Sequence, residues 1–385
     1  MPGYEVIGTE ELAEIQDVFA NGGVLFRHGF EGQRNNCYKV QTFESEFAKY
    51  VGSQYALAVT SGTAAIRVAL ASLGIGLGDQ VIAPCFTFVA TVEGIIEAGA
   101  TPVCAEIDET LNLDPIDLLN KITPNTKAVI VVHMLGTPAR MDEISQICRD
   151  KKLILIEDTA WGCGGKLNHR PLGTWGHVGT YSFDFAKTMT TGEGGMLVFQ
   201  DERVWKKAAA WHDHGHENNP MFPRWEDTRS GSGFNYRMME LQGAIGIAQL
   251  KKLSRIVKAQ RENRDRIWNA ISRLKDIQLR SSPNGSYDTA DALVFFVPDN
   301  LTSLTCRRNL LQEGVSTKIL PEAFSWHFAG TWDHMPELLK SHDYDLVNAF
   351  PKSRALLSRS VSIPIGVKMA DDFPERIYRA LNKAL

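Results

Sequence analysis

No apolar run in this chain approaches membrane-spanning length, so no spanning helix is expected. The opening stretch MPGYEVIGTEELAE is acidic and lacks a basic start followed by an apolar core, so no secretory signal is expected either. No basic block of the nucleic-acid-binding kind is present, and a net charge of −4 offers nothing to a polyanion. The six cysteines, at 37, 85, 104, 148, 163 and 306, include no CxxC pair, which points to buried or inert thiols in a reducing cytoplasm. Internal repeats and low-complexity tracts are missing too. These absences lead to the expectation of a cytoplasmic globular protein with no membrane or nucleic-acid partner.

What is present is ordinary in composition and considerable in length. With 44% hydrophobic residues and 22% charged ones over 385 positions, the chain exceeds one small core. Two units are expected: a large one over 1–250 with an N-terminal helix, and a smaller α+β one over 251–385 reached by a long connecting helix. The proline-free segment from Met238 to Ile277, apolar at helical spacing, is that helix.

Before it, strands and helices alternate. The spacing predicts helices over 10–20 and 43–51, then a strand at 55–60 followed by Ser61-Gly62-Thr63 and a helix. Further strands are expected at 80–85, 101–107, 127–133 and 153–156, with helices over 87–98 and 142–151 between them. Such units imply an α/β fold with a mostly parallel sheet covered by helices. Ligands in these folds sit beyond the carboxyl ends of strands. Ser61, Phe88, Asp158 and Lys187 all fall at or just past such an end, or in the adjoining loop.

Lys187 stands between two apolar runs, 181–185 and 196–199, at the entrance to a turn carrying Gly192, Glu193, Gly194 and Gly195. A lysine held there can be desolvated, which leaves a neutral amine able to attack a carbonyl. An ordinary hairpin with a solvated lysine gives the same pattern. Ser61-Gly62-Thr63 opens a helix whose free amides suit a phosphate, and it also reads as a well-capped helix with no ligand. Taken together, a phosphate cradle, an aromatic ring, a carboxylate and a lysine match the four needs of pyridoxal phosphate: an anchor, a stacking face, a partner for the pyridine nitrogen and an amine for its aldehyde.

Six stretches carry a family resemblance: TSGTAAI at 60–66, PCFTFVAT at 84–91, MLGTPARMDEI at 134–144, EDTAWG at 157–162, SFDFAK…GEGG at 182–195 and GFNYRMMELQGAIG at 233–246. In this order the chain resembles the DegT/DnrJ/EryC1/StrS family of sugar aminotransferases, of the aspartate-aminotransferase fold (pyridoxal-phosphate fold type I). The resemblance implies that Lys187 forms the Schiff base and shuttles the proton, and that Asp158 pairs with the pyridine nitrogen. It implies that Gly62, Thr63 and Ser182 hold the phosphate, that Phe88 stacks on the ring, and that Asn235 reaches the cofactor phosphate of a neighbouring subunit in a homodimer with shared sites. Relatives with histidine in place of the lysine are dehydratases, so Lys187 favours transamination. One position departs from the pattern: Trp161 stands where the family usually has Gln or His against the ring hydroxyl, and an indole offers a donor but no acceptor.

The expected reaction moves an amino group from L-glutamate to a keto-sugar, in amino-sugar or lipopolysaccharide biosynthesis. The sugar is either a nucleotide-linked keto-hexose or an eight-carbon 3-deoxy-octulosonate, the latter because GHENNP and MPGYEVIG resemble a branch with that activity; keto-inositols belong to the same set. A same-fold dehydratase or lyase and a non-catalytic cofactor-binding regulator are the alternatives. His214, Arg229, Arg237 and His327 are candidate substrate contacts, with Arg224, Lys318 and Glu322 nearby. Arginine forks suit a carboxylate, yet each of these arginines also reads as structural, and His327 as a surface residue. The alternation of His212, His214 and His216 suits a metal on a strand, but Gly215 breaks it and an active-site loop is the preferred reading, with no metal.

Overall fold

The computed structural model describes residues 2–219 and 221–385. Met1 and Pro220, one in each of the stretches MPGYEVIG and GHENNP, lie outside the described residues. Helices α1 (Thr9–Ala20) and α2 (Lys39–Val51) lead into β1 (Tyr55–Val59), α3 (Gly62–Ser72), β2 (Gln80–Pro84), α4 (Ala90–Glu97), β3 (Thr101–Ala105), α5 (Pro115–Lys121), β4 (Thr126–Val132), α6 (Met141–Lys151) and β5 (Ile154–Asp158). A small hairpin, β6 (Lys166–Leu167) and β7 (Arg170–Pro171), precedes β8 (Val178–Ser182), β9 (Gly195–Phe199), α7 (Glu202–Trp211) and the 32-residue α8 (Glu240–Ile271).

Seven strands form one sheet in the order β1-β9-β8-β5-β4-β2-β3. β2 pairs parallel with β3 and β4, β4 with β5, and β5 with β8. Only β9 runs against its neighbours, β1 and β8. The cause is the connection. β8 and β9 are joined by a loop and so pair antiparallel, whereas β2, β3, β4 and β5 are each reached through a helix and β8 through the crossover that carries the β6–β7 hairpin. Burial on both faces explains why β4 reads as the unbroken run Ala128–Val132 instead of alternating. On one face α2 and α8 cover β8 and β9, and Phe43, Phe47, Tyr181 and Phe183 interlock there with ring centroids 4.9–5.9 Å apart. Each such fully buried ring contributes about 2–3 kcal/mol.

Two helix starts differ from the periodicity. α2 begins at Lys39, four residues early, because Glu240 reaches back from α8 and its Oε2 accepts the amides of Lys39 (2.5 Å) and Val40 (3.1 Å). α4 begins at Ala90, three residues late, because the Thr87 amide is bonded to the His327 carbonyl at 2.9 Å.

α8 is continuous through residue 250, so the expected boundary lies inside it. Its far end, Ile267 and Ile271, packs with Leu293, Phe295, Ile363 and Ile377 under a second sheet of β10 (Gln278–Leu279), β12 (Ala292–Phe296) and β13 (Ser360–Pro364), while β11 (Ser286–Tyr287) pairs antiparallel with β6. A further cluster joins both parts: Phe86 and Trp161 pack with Phe296, Phe328 and Trp332. Among the described residues no helix is long and apolar enough to cross a membrane.

Near the amino end, the chain folds onto the β8–β9 loop. The Gly3 amide donates to the Lys187 carbonyl at 3.2 Å. Gln249 of α8 donates to the Gly3 carbonyl (3.3 Å) and to Glu11 (2.8 Å), and accepts from the Thr190 amide (3.3 Å). A Cβ on Gly3 would sit 2.9 Å from Met189 Cα and Thr190 N, so only glycine fits there.

Candidate active site

A cleft of about 280 Å³ opens beyond the carboxyl ends of β1, β2, β5 and β8. It is lined by Gly62, Thr63, Phe88, Asp158, Trp161, Ser182, Lys187 and His327, eight of the positions singled out in the sequence. Asn235, His214, Arg229 and Arg237 do not line it.

At one end is the start of α3. Ser61 caps the helix by accepting the Ala64 amide at 3.1 Å, which leaves the amides of Gly62 and Thr63 without a partner among the described residues. Gly62 abuts Ser182: a Cβ there would lie 2.8 Å from Ser182 Cβ and 3.1 Å from its Oγ. The missing side chain therefore leaves two amides and a hydroxyl converging on one small space, a cradle suited to a phosphate. At the other end, Asp158 is 6% exposed and terminates β5. Its Oδ2 accepts from Thr91 Oγ1 at 2.8 Å, and Thr91 is itself bonded to Thr87 Oγ1 at 2.8 Å. Its Oδ1 accepts the Ala160 amide at 3.1 Å. That leaves an oriented carboxylate with acceptor capacity for a ring N–H.

Between them stands Lys187, 9% exposed. It forms no ion pair among the described residues; instead its Nζ lies 3.4 Å from the centroid of the Trp161 ring. Burial pushes the amine down to about 8, with Lys318 adding to the depression and Asp291, Asp158 and Asp184 opposing it. An amine of that basicity is neutral in roughly a tenth of molecules at pH 7 and about half at pH 8, far more than an ordinary lysine. Trp161 thus serves as the wall beneath the lysine, and is itself buried at 8% exposure.

Phe88 keeps 40% of its surface exposed in the cleft, free to meet a planar ring, and packs at 5.5 Å against the His327 ring. His327 is buried, not a surface residue. Its Nδ1 donates to the Ala323 carbonyl at 2.9 Å, so Nε2 is the acceptor, and burial pushes its pKa down to about 4, keeping the ring neutral at pH 7. The residues present fit pyridoxal phosphate: cradle, carboxylate, exposed ring and an amine without an ion-pair partner among the described residues line one cleft.

The outer candidates sit elsewhere. Asp213 is fully buried and binds Arg224 through two bonds (2.5 and 2.8 Å), Arg237 through its Oδ1, and lies 3.5 Å from His28 Nε2. Burial favours protonating that carboxyl, but the two guanidinium groups outweigh it and hold it below the usual range. Arg224 and Arg237 are therefore committed to Asp213. Arg229 is exposed and paired with His216 through backbone only. The three alternating histidines part company: His212 is buried beside Arg27 (3.2 Å), His214 is exposed with φ of 55°, and His216 lies 3.3 Å from Asp227. Asn235 is exposed, bridged by backbone to Asp213. Sequence reasoning missed Thr91 as the support for Asp158, although it ends the PCFTFVAT stretch, and missed Asp291, which no local signal marks.

Comparison with known proteins covers nearly the whole chain. A family model described as the DegT/DnrJ/EryC1/StrS aminotransferase family matches residues 29–382. A GDP-perosamine synthase of Vibrio cholerae is 31% identical over 383 residues, covering 99% of this chain and 98% of its own. The spore coat polysaccharide biosynthesis protein SpsC of Bacillus subtilis (strain 168) is 32% identical over 390 residues, covering 98% and 94%. The crystal structure of the aminotransferase TlmJ from Streptoalloteichus hindustanus superimposes with a TM-score of 0.84 at 26% identity, over 98% of this chain and 96% of that one.

Proposed function

The chain belongs to the DegT/DnrJ/EryC1/StrS aminotransferase family, and from that premise we propose that it transfers an amino group from L-glutamate to a nucleotide-linked keto-sugar. It is a pyridoxal-phosphate-dependent sugar aminotransferase of fold type I. The single observation that carries the site assignment is a buried, unpaired lysine amine 3.4 Å from an indole ring, in a cleft that ends in a phosphate-suited helix start on one side and an oriented carboxylate on the other.

When bound, the cofactor supplies an aldehyde that links to the amine and a ring that accepts an electron pair from the reacting carbon. The residues of the chain do the rest. Gly62 and Thr63 amides with Ser182 Oγ bind the phosphate. Asp158, fixed by Thr91, holds the ring nitrogen in its protonated form. Phe88 orients the ring. Lys187 Nζ, once free as an amine, would take the proton from the α-carbon of the amino donor and hold it for return, and in the opposite half-reaction would deliver a proton to the former carbonyl carbon of the keto-sugar.

The nucleotide-linked reading is preferred over the octulosonate one on two grounds. The Vibrio cholerae relative is named for a GDP-linked amino sugar. Arg224 and Arg237, which would have met an acidic sugar, are occupied by Asp213. We further propose a homodimer in which Asn235 meets the second subunit's cofactor; Phe234, Trp225 and Met221, at 52%, 83% and 81% exposure, supply apolar surface beside it. Sedimentation velocity tests the dimer, and a monomer at working concentration would remove the role given to Asn235.

The test of function is the visible spectrum of the protein with pyridoxal phosphate, before and after L-glutamate, followed by a panel of keto-sugars. The expected result is a yellow band that bleaches with release of 2-oxoglutarate and returns with a nucleotide-linked keto-hexose. Return of the band only with the eight-carbon acid would replace the sugar assignment. A band indifferent to every amino donor would point to the dehydratase, lyase or regulator alternatives.

A further inference from the structure

Behind Lys187 lies a buried ion pair that the reaction scheme does not use. Lys318 Nζ is 2.6 Å from Asp291 Oδ2, and the Asp291 side chain is 1% exposed. The other carboxylate oxygen, Oδ1, is buried with no hydrogen-bond partner among the described residues. Both residues are fixed by the second sheet: the Lys318 amide donates to the Ser362 carbonyl at 2.9 Å, and the Asp291 carbonyl accepts the Ile365 amide at 3.3 Å. Lys318 Nζ lies 5.0 Å from the centroid of the Trp161 ring, the same ring that Lys187 Nζ approaches to 3.4 Å. Thr289, two residues before Asp291, donates to the Trp161 carbonyl at 3.0 Å and ties the two elements together. The ionisable groups around Lys187 are thus Asp158 on β5, Asp184 and Glu193 on its own loop, Asp291 before β12, Lys318 before β13, and neutral His327.

We propose that Asp291 and Lys318 are positioning residues for Lys187: Lys318 occupies the Asp291 carboxylate, so the carboxylate does not capture the reactive amine and the amine rests on Trp161. The inference rests on the assignment of Lys187 as the cofactor-binding lysine. A carboxylate with an empty oxygen, buried within electrostatic reach of a lysine, would otherwise pair with it and hold it charged. The opposite loss, of the carboxylate alone, would leave Lys318 as an uncompensated cation near Lys187 and favour the neutral amine. The two members of the pair therefore act on Lys187 with opposite sign, consistent with the opposed influences of Asp291 and Lys318 on its basicity.

The experiment follows the growth of the yellow band when pyridoxal phosphate is mixed with cofactor-stripped full-length protein, across about pH 6–10, the range that brackets the amine. Lys318→Met should move the rate midpoint up by about one pH unit, a roughly tenfold slower reaction at neutral pH, and Asp291→Asn should move it down by a comparable amount. The double variant should return close to the wild-type midpoint, and Lys318→Arg, which keeps the pair, should leave it in place. Single-variant midpoints that coincide with wild type, or that move in the same direction, would overturn the proposal. Where one single variant folds poorly the other still decides, because each carries a shift of defined sign, and Lys318→Arg shows that the shift comes from loss of the pair. Lys187→Ala checks the underlying assignment separately: cofactor that borohydride still fixes covalently to that variant at the same site would remove the assignment itself.

Discussion

Two buried sites in this molecule set cations against carboxylates, and they do it in opposite ways. Around Asp213, Arg224 and Arg237 both bind the carboxylate within ordinary ion-pair distance, and His28 stands beside them. Around Lys187, three aspartates lie within electrostatic reach and none is paired with it; Asp158 is held by Thr91 and Asp291 by Lys318. The Asp213 cluster organises the 213–237 segment by pairing one buried carboxylate with two guanidinium groups. The Lys187 cleft withholds an ion-pair partner from one amine and thereby lowers its basicity, as the role proposed for it requires. Pairing produces rigidity, and its deliberate omission produces chemistry.

The difference can be broken from either side. Lys187→Ala should abolish turnover while leaving the circular dichroism spectrum and melting transition of a folded protein; retained turnover would show that the unpaired amine is not the reactive one. Asp213→Ala leaves two guanidinium groups without their carboxylate and should cost about 3–5 kcal/mol in denaturant unfolding. The Lys187 side has a stability signature too. In the unfolded chain the lysine keeps its proton to about 10.5, while in the fold it releases it near 8. Between those values the unfolded chain binds the additional proton, so wild type should gain up to about 3 kcal/mol relative to Lys187→Met as the pH rises through that window, with no relative gain below it. Gly62→Ala places a Cβ 2.8 Å from Ser182 and should weaken pyridoxal phosphate binding by about tenfold or more, read by absorbance titration. Arg229→Ala, at an exposed position outside both sites, should stay within about 0.5 kcal/mol of wild type.

Most of the sheet was legible because its signals are local: apolar runs of five residues, a capping serine, glycine at turns. The cleft was legible for the same reason, since strand ends and helix starts carry Ser61, Asp158, Ser182 and Lys187. What stayed hidden depends on residues far apart in the chain. The start of α2 at Lys39 is fixed by Glu240, 201 positions away. The burial of His327 depends on its carbonyl meeting Thr87, and the pairing of Lys318 depends on Asp291. The arginines show the converse: their type suggests carboxylate binding, and they do bind one, but it belongs to the chain itself.

Gln249 gives the lysine loop a timetable. Its side chain links Gly3, Glu11 and Thr190, and the bond from Gln249 to Gly3 spans 246 positions. On a ribosome adding about 5–20 residues per second, the first helix is made roughly 10–50 seconds before the helix it rests on. Throughout that interval the apolar side of α1 has no native surface to cover. Lys187, already synthesised, sits in a loop whose brace is unfinished. The brace between the amino-terminal segment and the lysine loop can therefore be completed only after α8 has been made.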